Sequence, residues 1–549
     1  MPKCRGVDIE ELSIKQLQAH LHAGSFTCED LTRCYLKRIE LLNPRIRAVI
    51  ETNPDCLVIA KTLDAERLGG ATRSSIHGIP FLVKDNIVTK DQMQTTAGCA
   101  ALLGSQVPDD APVVARLRAA GGVLLGKANL SEWASMRASY YAEGYSSRGG
   151  QNRNPYNLAE HAGGSSSGSA SAVAANMCAF SIGTETDGSV MFPAGRNAVV
   201  GIKPTVGLTS TLGVIPESHS MDTVGTFGRC VEDATTVLDI IANSKSEPDA
   251  QFSSSADDRD ARQQSLVYRS HLAKRDALKG ARFGLPMKRV WESAEKNAKH
   301  RSEYRTLMKL ISRMRNAGAQ IVDVDFPSAE DIISQEGWDW TYADGEPGSK
   351  LSEFEVVRVE FYNGLKNYLS TLGGLGAEMR TLEDVVAYNV ENTDREGGVP
   401  GTHPAWPTGQ DNLDKCVESR GDDGADYQKA LDYITRKSRV EGIDVALSLR
   451  GGGTLDGLLV PLQADQGAAC SVAAKAGYPM ITVPVGINEN DIAFGLAIIQ
   501  TARQEGSLIR YAAAIEGLVG PRSRPKFVNY DAETYPYIEG PLSDSTLRT

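Results

Sequence analysis

The most constraining feature of this sequence is the stretch over residues 161–193, HAGGSSSGSASAVAANMCAFSIGTETDGSVMFP. It contains two loops rich in glycine and small hydroxyl residues, GGSSSGS at residues 163–169 and GTETDGS at residues 183–189. Glycine beside a reactive serine lets backbone N–H groups approach an incoming group closely, where a Cβ would obstruct them. Two such loops at the ends of one element predict a single site built from both.

The first loop also fits G-x-S-x-G, the nucleophile elbow of α/β-hydrolases, with Ser166 as the nucleophile. That motif requires an apolar strand running into it, whereas residues 154–161, NPYNLAEH, indicate turn and loop. A flexible Gly/Ser linker is another alternative, but a linker would not lead into the closely packable segment ASAVAA at residues 170–175. These small side chains instead predict a helix that packs tightly against its neighbours.

A base for a reactive serine is available upstream, in HGIPFLVKDN at residues 77–86. The apolar run predicts a strand over residues 79–83 with Lys84 at its end. A lysine drawn into an apolar sheet loses solvation, which lowers its pKa, and a neutral lysine is a usable base. The alternative interpretation is a surface lysine at a strand end.

Lys84, Ser165 and Ser189, with the sequences around them, resemble the amidase signature family. The matching stretches are VKDN at residues 83–86 and the two loops, whose serines lie 24 positions apart, as suits the family. LLGKANLSE at residues 124–132 and VGIKPT at residues 200–205 also look like it. The resemblance covers residues 10–245 well and residues 440–520 moderately. It implies an α/β fold, a single large domain with a central mixed β-sheet flanked by helices.

The resemblance further implies hydrolysis of a linear amide through a Ser-cisSer-Lys triad and an acyl-enzyme. Ser189 would attack the amide carbon while Ser165 relays its proton to neutral Lys84. The oxyanion would be held by the backbone N–H groups of Thr186, Asp187, Gly188 and Ser189. No cofactor is expected, and the eight histidines show no metal-ligand spacing.

Within the family, TETDGS at residues 184–189 departs from the commoner T-D-T-G-G-S and looks like the variant of bacterial peptide amidases, which deamidate peptide C-termini. RGGQ at residues 148–151 and RTLEDV at residues 380–385 look similar to that branch too. Asp187 stands where the commoner pattern has glycine, so its backbone must avoid a conformation that only glycine tolerates. Many members carry an arginine two residues after the nucleophile. This chain has Met191, followed by Phe192, which favours an apolar acyl group over a small carboxylate-bearing one.

Two other functions fit part of the pattern. A glutaminase subunit of the tRNA-dependent amidotransferase kind would feed ammonia to a partner protein, but the peptide-amidase-like loop favours an independent enzyme that acts on a small-molecule or peptide amide. A catalytically silent binding protein would be expected to lack a member of the triad, and none is missing.

Composition excludes several classes of partner. The formal net charge of −11 gives no general attraction to phosphate backbones or anionic membranes, so no nucleic acid is expected. Nine cysteines are scattered singly without C-x-x-C, which signals neither a zinc site nor a disulfide framework. The first residues lack the apolar core of a signal peptide, and no run of about 18 apolar residues follows. We therefore expect a cytoplasmic protein with no membrane span.

The N-terminal half shows alternating helix and strand signals. Capping-box spacing at Ser13 and Thr27 predicts helices over residues 14–23 and 28–42. A helix over residues 113–120 and a strand over residues 123–125 then continue the alternation typical of an α/β sheet. GGVLLGK at residues 121–127 nearly matches a P-loop, but Ala128 stands where Ser or Thr should hold magnesium, which argues against ATP binding.

We divide the chain into an N-terminal helical region, a signature core, a middle substrate-side region, a C-terminal part of the core and a tail: residues 1–70, 71–245, 246–440, 441–520 and 521–549. Residues 244–264 are polar and predict an exposed connection. The remaining patterns predict helices over residues 231–242, 292–318 and 507–516, and strands over residues 321–326, 443–447, 458–461 and 480–485. Most aromatic residues between 335 and 440 are expected to pack in the core, and others could line a substrate pocket. They include Trp338, Trp340, Tyr342, Phe361, Tyr362 and Trp406.

Overall fold

A mixed sheet of eleven strands lies at the centre of the computed structural model, which describes residues 3–242, 267–374, 379–449, 452–529 and 538–539. In chain order its strands β1 to β11 are Val49–Thr52, Pro80–Lys84, Val123–Ala128, Phe180–Glu185, Val200–Lys203, Thr223–Gly228, Arg282–Pro286, Gln320–Val324, Gly457–Val460, Met480–Ile487 and Ala493–Ile499. Their spatial order is β1-β3-β2-β4-β6-β5-β10-β11-β9-β7-β8. The polar connection predicted over residues 244–264 lies outside the described residues.

Helices flank this sheet along the described part of the chain. Their bounds are Ile14–His22, Cys28–Ile46, Cys56–Leu68, Pro112–Ala119, Ser167–Ala174, Met191–Arg196, Val231–Ile241, Glu292–Lys296, Arg301–Asn316, Ala329–Ile332, Glu353–Ser370, Leu382–Glu391, Thr393–Glu396, Asp411–Ser419, Ala425–Ser438, Asp444–Leu447, Ala468–Ala476 and Glu505–Val519. The two predicted capping boxes are present at Ser13 and Thr27. None of these helices is long and apolar enough to cross a membrane.

Three neighbouring parallel strands position the candidate site. β2 pairs with β3 on one side and with β4 on the other, and every residue of the three strands is buried. Because the strands are parallel, their carboxyl ends lie at the same edge of the sheet. This edge carries Lys84, the last residue of β2, and the loop at residues 186–189 that follows β4. Crevices at the carboxyl ends of parallel strands are common ligand sites.

The predicted helix of small residues is confirmed as Ser167–Ala174, and all of its residues are buried. A Cβ at Gly168 would collide with the carbonyl of Ala48 and with the backbone of Asn129. Glycine at this position therefore lets the helix lie directly against the backbone of neighbouring segments. This close packing brings the loop before the helix to the edge of the sheet.

Two predictions about secondary structure are wrong. Residues 443–447 are helical, because a π-helical turn, Arg439–Ile443, continues the preceding helix into Asp444–Leu447. A short apolar run has no period that separates a strand from a buried helical turn. The helix predicted over residues 292–318 is interrupted at Asn297, whose side chain accepts a hydrogen bond from the backbone N–H of Lys299 at 3.0 Å.

Candidate active site

Lys84 is completely buried at the end of β2 and points at hydroxyl groups. Its Nζ donates to Ser165 Oγ at 2.6 Å, to Thr184 Oγ1 at 2.8 Å and to the Thr184 carbonyl at 3.3 Å. Burial lowers the pKa of Lys84 to about 7. A substantial fraction of Lys84 is therefore neutral near pH 7.

The two predicted serines continue the contacts of Lys84. Ser165 Oγ donates to Ser189 Oγ at 2.8 Å, so the three side chains form one chain of hydrogen bonds, Lys84–Ser165–Ser189. The peptide bond between Gly164 and Ser165 is cis. The N–H of Ser166 donates to the carbonyl of Ser189 at 3.1 Å, which joins the two loops through their backbones. The structure thus brings together the residues that the sequence analysis singled out.

Ser166, the candidate of the nucleophile-elbow alternative, contacts backbone instead. Its Oγ donates to the carbonyl of Thr184 at 2.9 Å, and it directly precedes the helix Ser167–Ala174. Residues 152–164 before it contain no strand of the sheet. The elbow requires a strand that runs into an exposed serine, and Ser166 is fully buried.

The loop at residues 186–189 takes its shape from Gly188 and Glu185. Gly188 has a φ of +76°, whereas Asp187 has a negative φ, so the position that favours glycine is occupied by glycine. Glu185 Oε2 accepts the N–H groups of Val190 and Met191 at 2.6 and 2.9 Å. Asp187 is therefore compatible with the loop, as the sequence analysis required.

A pair of carboxyl groups that the sequence analysis missed lies beside this loop. Thr186 Oγ1 is 2.7 Å from Glu217 Oε2 and 2.6 Å from Asp222 Oδ1. A threonine hydroxyl has one proton and can donate to only one of these oxygens, so the other carboxyl must be protonated and donate. Burial and the Asp222 charge raise the pKa of Glu217 to about 8, while burial raises the pKa of Asp222 to about 6. Glu217 is therefore the group that keeps its proton near pH 7.

The middle segment contributes a residue to the same loop. Trp338 Nε1 donates to Asp187 Oδ2 at 2.9 Å, while 39% of the Trp338 side chain stays exposed. Trp406 and Phe361 are each only 1% exposed, as expected for core aromatic residues. The core interpretation thus holds for Trp406 and Phe361, whereas the exposed ring of Trp338 leaves a role in substrate binding as a prediction. No local sequence signal distinguishes Trp338, because its contact with Asp187 spans 151 positions.

The two residues that suggested an apolar acyl group differ in their surroundings. Met191 is fully buried, and its methyl group lies near Gly201. Phe192 is partly exposed and lies against Gly163, in the loop that carries Ser165. The hypothesis of an apolar acyl group is therefore better attached to Phe192 than to Met191.

Lys127, the lysine of the P-loop near-match, is part of β3 and is fully buried. Its Nζ donates to the carbonyl of Ile87 at 2.6 Å and to Thr95 Oγ1 at 2.8 Å. A P-loop lysine must reach phosphate groups from a loop that leads into a helix. Lys127 has neither the loop nor the free ammonium group, which excludes the ATP-binding interpretation.

One group of three possible metal ligands occurs in the described part of the chain: Cys99, Glu132 and Glu396, all buried. Arg137 forms a close ion pair with Glu132, and its Nη1 lies 3.9 Å from Glu396 Oε2. The guanidinium group thus supplies the positive charge that a metal ion would bring. Glu132, Glu396 and Arg137 therefore form a buried ion-pair cluster.

Comparison with known proteins agrees with this geometry. The model of the family described as Amidase matches residues 30–372. A Schizosaccharomyces pombe protein named as an amidase is 46% identical over 546 residues, covering 98% of this chain and 90% of that protein. The chain belongs to the Amidase family. It is thus a hydrolase that acts on amides, and the family predicted from the motifs is confirmed.

Two further relatives of this Amidase-family chain bear on its specificity. The X-ray structure of native peptide amidase from Stenotrophomonas maltophilia matches with a TM-score of 0.79 and 37% identity, covering 95% of this chain and 99% of that chain. A glutamyl-tRNA(Gln) amidotransferase subunit of Symbiobacterium thermophilum is 35% identical over 377 residues, which are 67% of this chain and 72% of that protein. The match to peptide amidase also confirms the predicted single α/β domain with a large mixed sheet.

Proposed function

We propose that this chain hydrolyses a carboxylic amide to the acid and ammonia through an acyl-enzyme on Ser189. The observation that carries the proposal is the continuous chain of hydrogen bonds from Lys84 Nζ through Ser165 Oγ to Ser189 Oγ, with steps of 2.6 and 2.8 Å. A nucleophile, a proton relay and a base within hydrogen-bond reach are what acyl transfer requires.

Proton movement follows this chain in both directions. When Lys84 is neutral, the hydroxyl protons rotate so that Ser189 donates to Ser165 and Ser165 donates to Lys84. Ser189 Oγ bonds to the amide carbon as its proton passes through Ser165 to Lys84. The same route returns a proton to the leaving nitrogen, the C–N bond breaks, and ammonia departs. Water then attacks the ester on Ser189, giving up its proton to the relay, and Ser189 recovers its own proton as the acid leaves.

The oxyanion of each tetrahedral intermediate would be held by the backbone N–H groups of residues 186–189. Among the hydrogen bonds of the described residues, none uses these four N–H groups, whereas the next two along the chain both donate to Glu185. Donors left available beside a nucleophile suit an oxyanion, and one such donor is typically worth about 3 kcal/mol of barrier.

For the substrate we propose a primary amide, including the C-terminal amide of a peptide. The TETDGS loop and the 37% identity with a peptide amidase support this class. We also propose that the middle region, residues 246–440, forms the substrate side of the site. Trp338 supports this division, because it reaches Asp187 from that region.

The test is ammonia release by the purified chain with a panel of peptide, aryl and aliphatic primary amides. We expect turnover by the wild type and loss of turnover in both Ser189→Ala and Lys84→Ala. If Lys84→Ala remained fully active at neutral pH, the proposed base would be wrong. If the wild type released ammonia from none of the amides, the proposed leaving group would be wrong.

A second candidate is the glutaminase component of an amidotransferase, supported by the 35% identity with the Symbiobacterium thermophilum protein. Such a component would depend on a partner protein. The same panel separates the two functions when glutamine is included. Turnover of simple amides by the chain alone favours the independent amidase, whereas activity confined to glutamine and dependent on added partner proteins would favour the amidotransferase.

We also infer a reducing intracellular location. All nine cysteines lie in the described part of the chain as free thiols, and seven of them are buried. Proteins of oxidising compartments usually pair such residues as disulfides. Imaging of a fluorescent fusion in the source cells would test this inference, and secretion of the fusion would contradict it.

A further inference from the structure

Trp338 stands beside the candidate nucleophile as an exposed aromatic residue. Three of the five tryptophans, Trp133, Trp291 and Trp406, are at most 2% exposed, but 39% of Trp338 is exposed. A single exposed apolar residue on a protein surface needs no explanation by itself. Trp338 differs because its indole N–H reaches Asp187, two positions before Ser189 in the chain.

Several contacts hold Trp338 in one orientation. Its backbone N–H donates to the carbonyl of Gln466 at 2.9 Å, and its ring lies 5.7 Å from the ring of Trp340. A Cβ at Gly467 would lie 3.1 Å from the Cβ of Trp338, so the two residues are closely packed. An aromatic ring that is fixed before a ligand arrives loses little conformational entropy on binding.

The buried carboxyl group of Glu353 lies near Asp187, the acceptor of the indole N–H. Glu353 is 1% exposed, and its Oε2 lies 3.4 Å from Lys475 Nζ. Burial and the charge of Asp187 raise the pKa of Glu353 well above its ordinary value. Asp187 thus has two neighbours in this part of the site, the indole N–H of Trp338 and the carboxyl group of Glu353.

We propose that Trp338 is a specificity-determining residue whose indole ring binds an aromatic or other planar group of the amide substrate, and whose N–H positions Asp187 and the loop that carries Ser189. This inference deepens the proposed function and rests on Ser189 as the nucleophile. The contact with Asp187 places the ring next to the loop at which the acyl group must lie during attack.

A second aromatic residue supports the same class of substrate. Phe192 follows Ser189 by three positions, is partly exposed, and packs against Gly163 in the Ser165 loop. Aromatic side chains thus adjoin both loops of the site. Aromatic pairs prefer offset-stacked or edge-to-face contacts, so such a site discriminates flat rings from saturated rings of similar size.

The experiment compares two primary amides that differ only in the ring, 3-phenylpropanamide and 3-cyclohexylpropanamide. The values of kcat and KM for ammonia release are measured for the wild type, Trp338→Leu and Trp338→Phe. Tyr362→Leu is the control, because Tyr362 is a partly exposed aromatic residue of the same middle region whose hydroxyl donates to Glu383. Thermal denaturation shows whether each variant is folded.

We expect the wild type to prefer the phenyl amide and Trp338→Leu to reduce the ratio of the two kcat/KM values by roughly three- to tenfold. Trp338→Phe keeps a ring but loses the N–H, so the ratio should persist while kcat for both amides falls by roughly three- to tenfold. Tyr362→Leu should change neither quantity.

An unchanged ratio in folded Trp338→Leu would overturn the assignment of the ring as a specificity determinant, as would a wild type that hydrolyses neither amide. An unchanged kcat in Trp338→Phe would overturn the positioning role of the N–H. A purely structural Trp338 would lower stability and the rates for both amides without altering their ratio. Failure of the proposed function has a different signature, since Ser189→Ala would then retain turnover of either amide.

Discussion

Two neighbouring parallel strands of the sheet each bury a lysine, and only one of the two lysines faces the candidate site. Lys84 ends β2, and Lys127 lies in β3 beside Val83 in the register of the two strands. Burial lowers the pKa of both residues, to about 7 for Lys84 and about 8 for Lys127. A depressed lysine pKa therefore does not by itself identify a catalytic base.

The partners of the two ammonium groups make the difference. Lys84 contacts Ser165 Oγ, which leads on to Ser189, so its proton can reach a nucleophile. Lys127 contacts the carbonyl of Ile87 and the hydroxyl of Thr95, and neither leads to the serines. A hydrogen-bond route, rather than burial, therefore supports Lys84 as the proposed base. Variants of the two lysines and of the groups around them test this difference.

The largest expected effect is on catalysis. Lys84→Met should lower kcat/KM for amide hydrolysis by roughly a thousandfold, because removal of a general base typically costs two to four orders of magnitude. Lys127→Met should remain within about threefold of the wild type, since it lies outside the proton route. Steady-state ammonia release at constant temperature checks both variants. Comparable losses of kcat/KM in the two variants would contradict the proposal that only Lys84 takes part in catalysis.

The pH profile should report Lys84 and Glu217. In the proposed mechanism Lys84 acts as a neutral base, so kcat/KM should fall about tenfold per pH unit as the pH drops below the Lys84 pKa of about 7. Above the Glu217 pKa of about 8, a second negative charge appears beside Thr186, which disfavours the oxyanion and lowers activity at alkaline pH.

Glu217→Gln separates these two effects. The variant should lose the alkaline decline and keep the acid one, because glutamine at position 217 cannot ionise. Lys127→Met should show the same profile as the wild type. An alkaline decline that persisted in Glu217→Gln would assign that limb to another group.

For the stability of the fold, we expect the substitution of Lys127 to have a larger effect than the substitution of Lys84, the reverse of their order in catalysis. Lys127→Met should reduce the free energy of unfolding by about 1–3 kcal/mol, because the Ile87 carbonyl and Thr95 lose a buried donor. Lys84→Met should cost less. Its hydroxyl partners keep other hydrogen bonds, Ser165 with Ser189 and Thr184 with Asn86. Urea denaturation measures both values, and a larger loss for Lys84→Met would contradict the structural role given to Lys127.

The adjacent residues Ser165 and Ser166 should differ in the same way, with one needed for activity and the other for stability. Ser166→Ala removes the hydrogen bond to the Thr184 carbonyl and should lower stability by about 1 kcal/mol while most activity remains. Ser165→Ala serves as the comparison, because it interrupts the route between Lys84 and Ser189 and should abolish most activity. If the Ser166→Ala variant were fully folded but inactive, this result would support the nucleophile-elbow hypothesis, in which Ser166 is the nucleophile.

Much of the fold and of the site can be predicted from local signals. The capping boxes at Ser13 and Thr27 gave their helices, and the small residues at 170–175 gave a close-packed helix. The run at residues 443–447 predicts a strand wrongly, because five residues are too few to separate a period of 2 from a period of 3.6.

The sequence by itself determined the family and the α/β class. It also singled out Lys84, Ser165 and Ser189 as the proposed triad, because each of them lies in a recognisable local motif. Only the tertiary structure decided which neighbouring polar groups join them. Strands β2 and β3 are buried on both faces, so hydrophobic periodicity does not show which lysine faces the serines. Glu217 and Trp338 reach Thr186 and Asp187 across 31 and 151 positions, and such contacts exist only once the chain has folded.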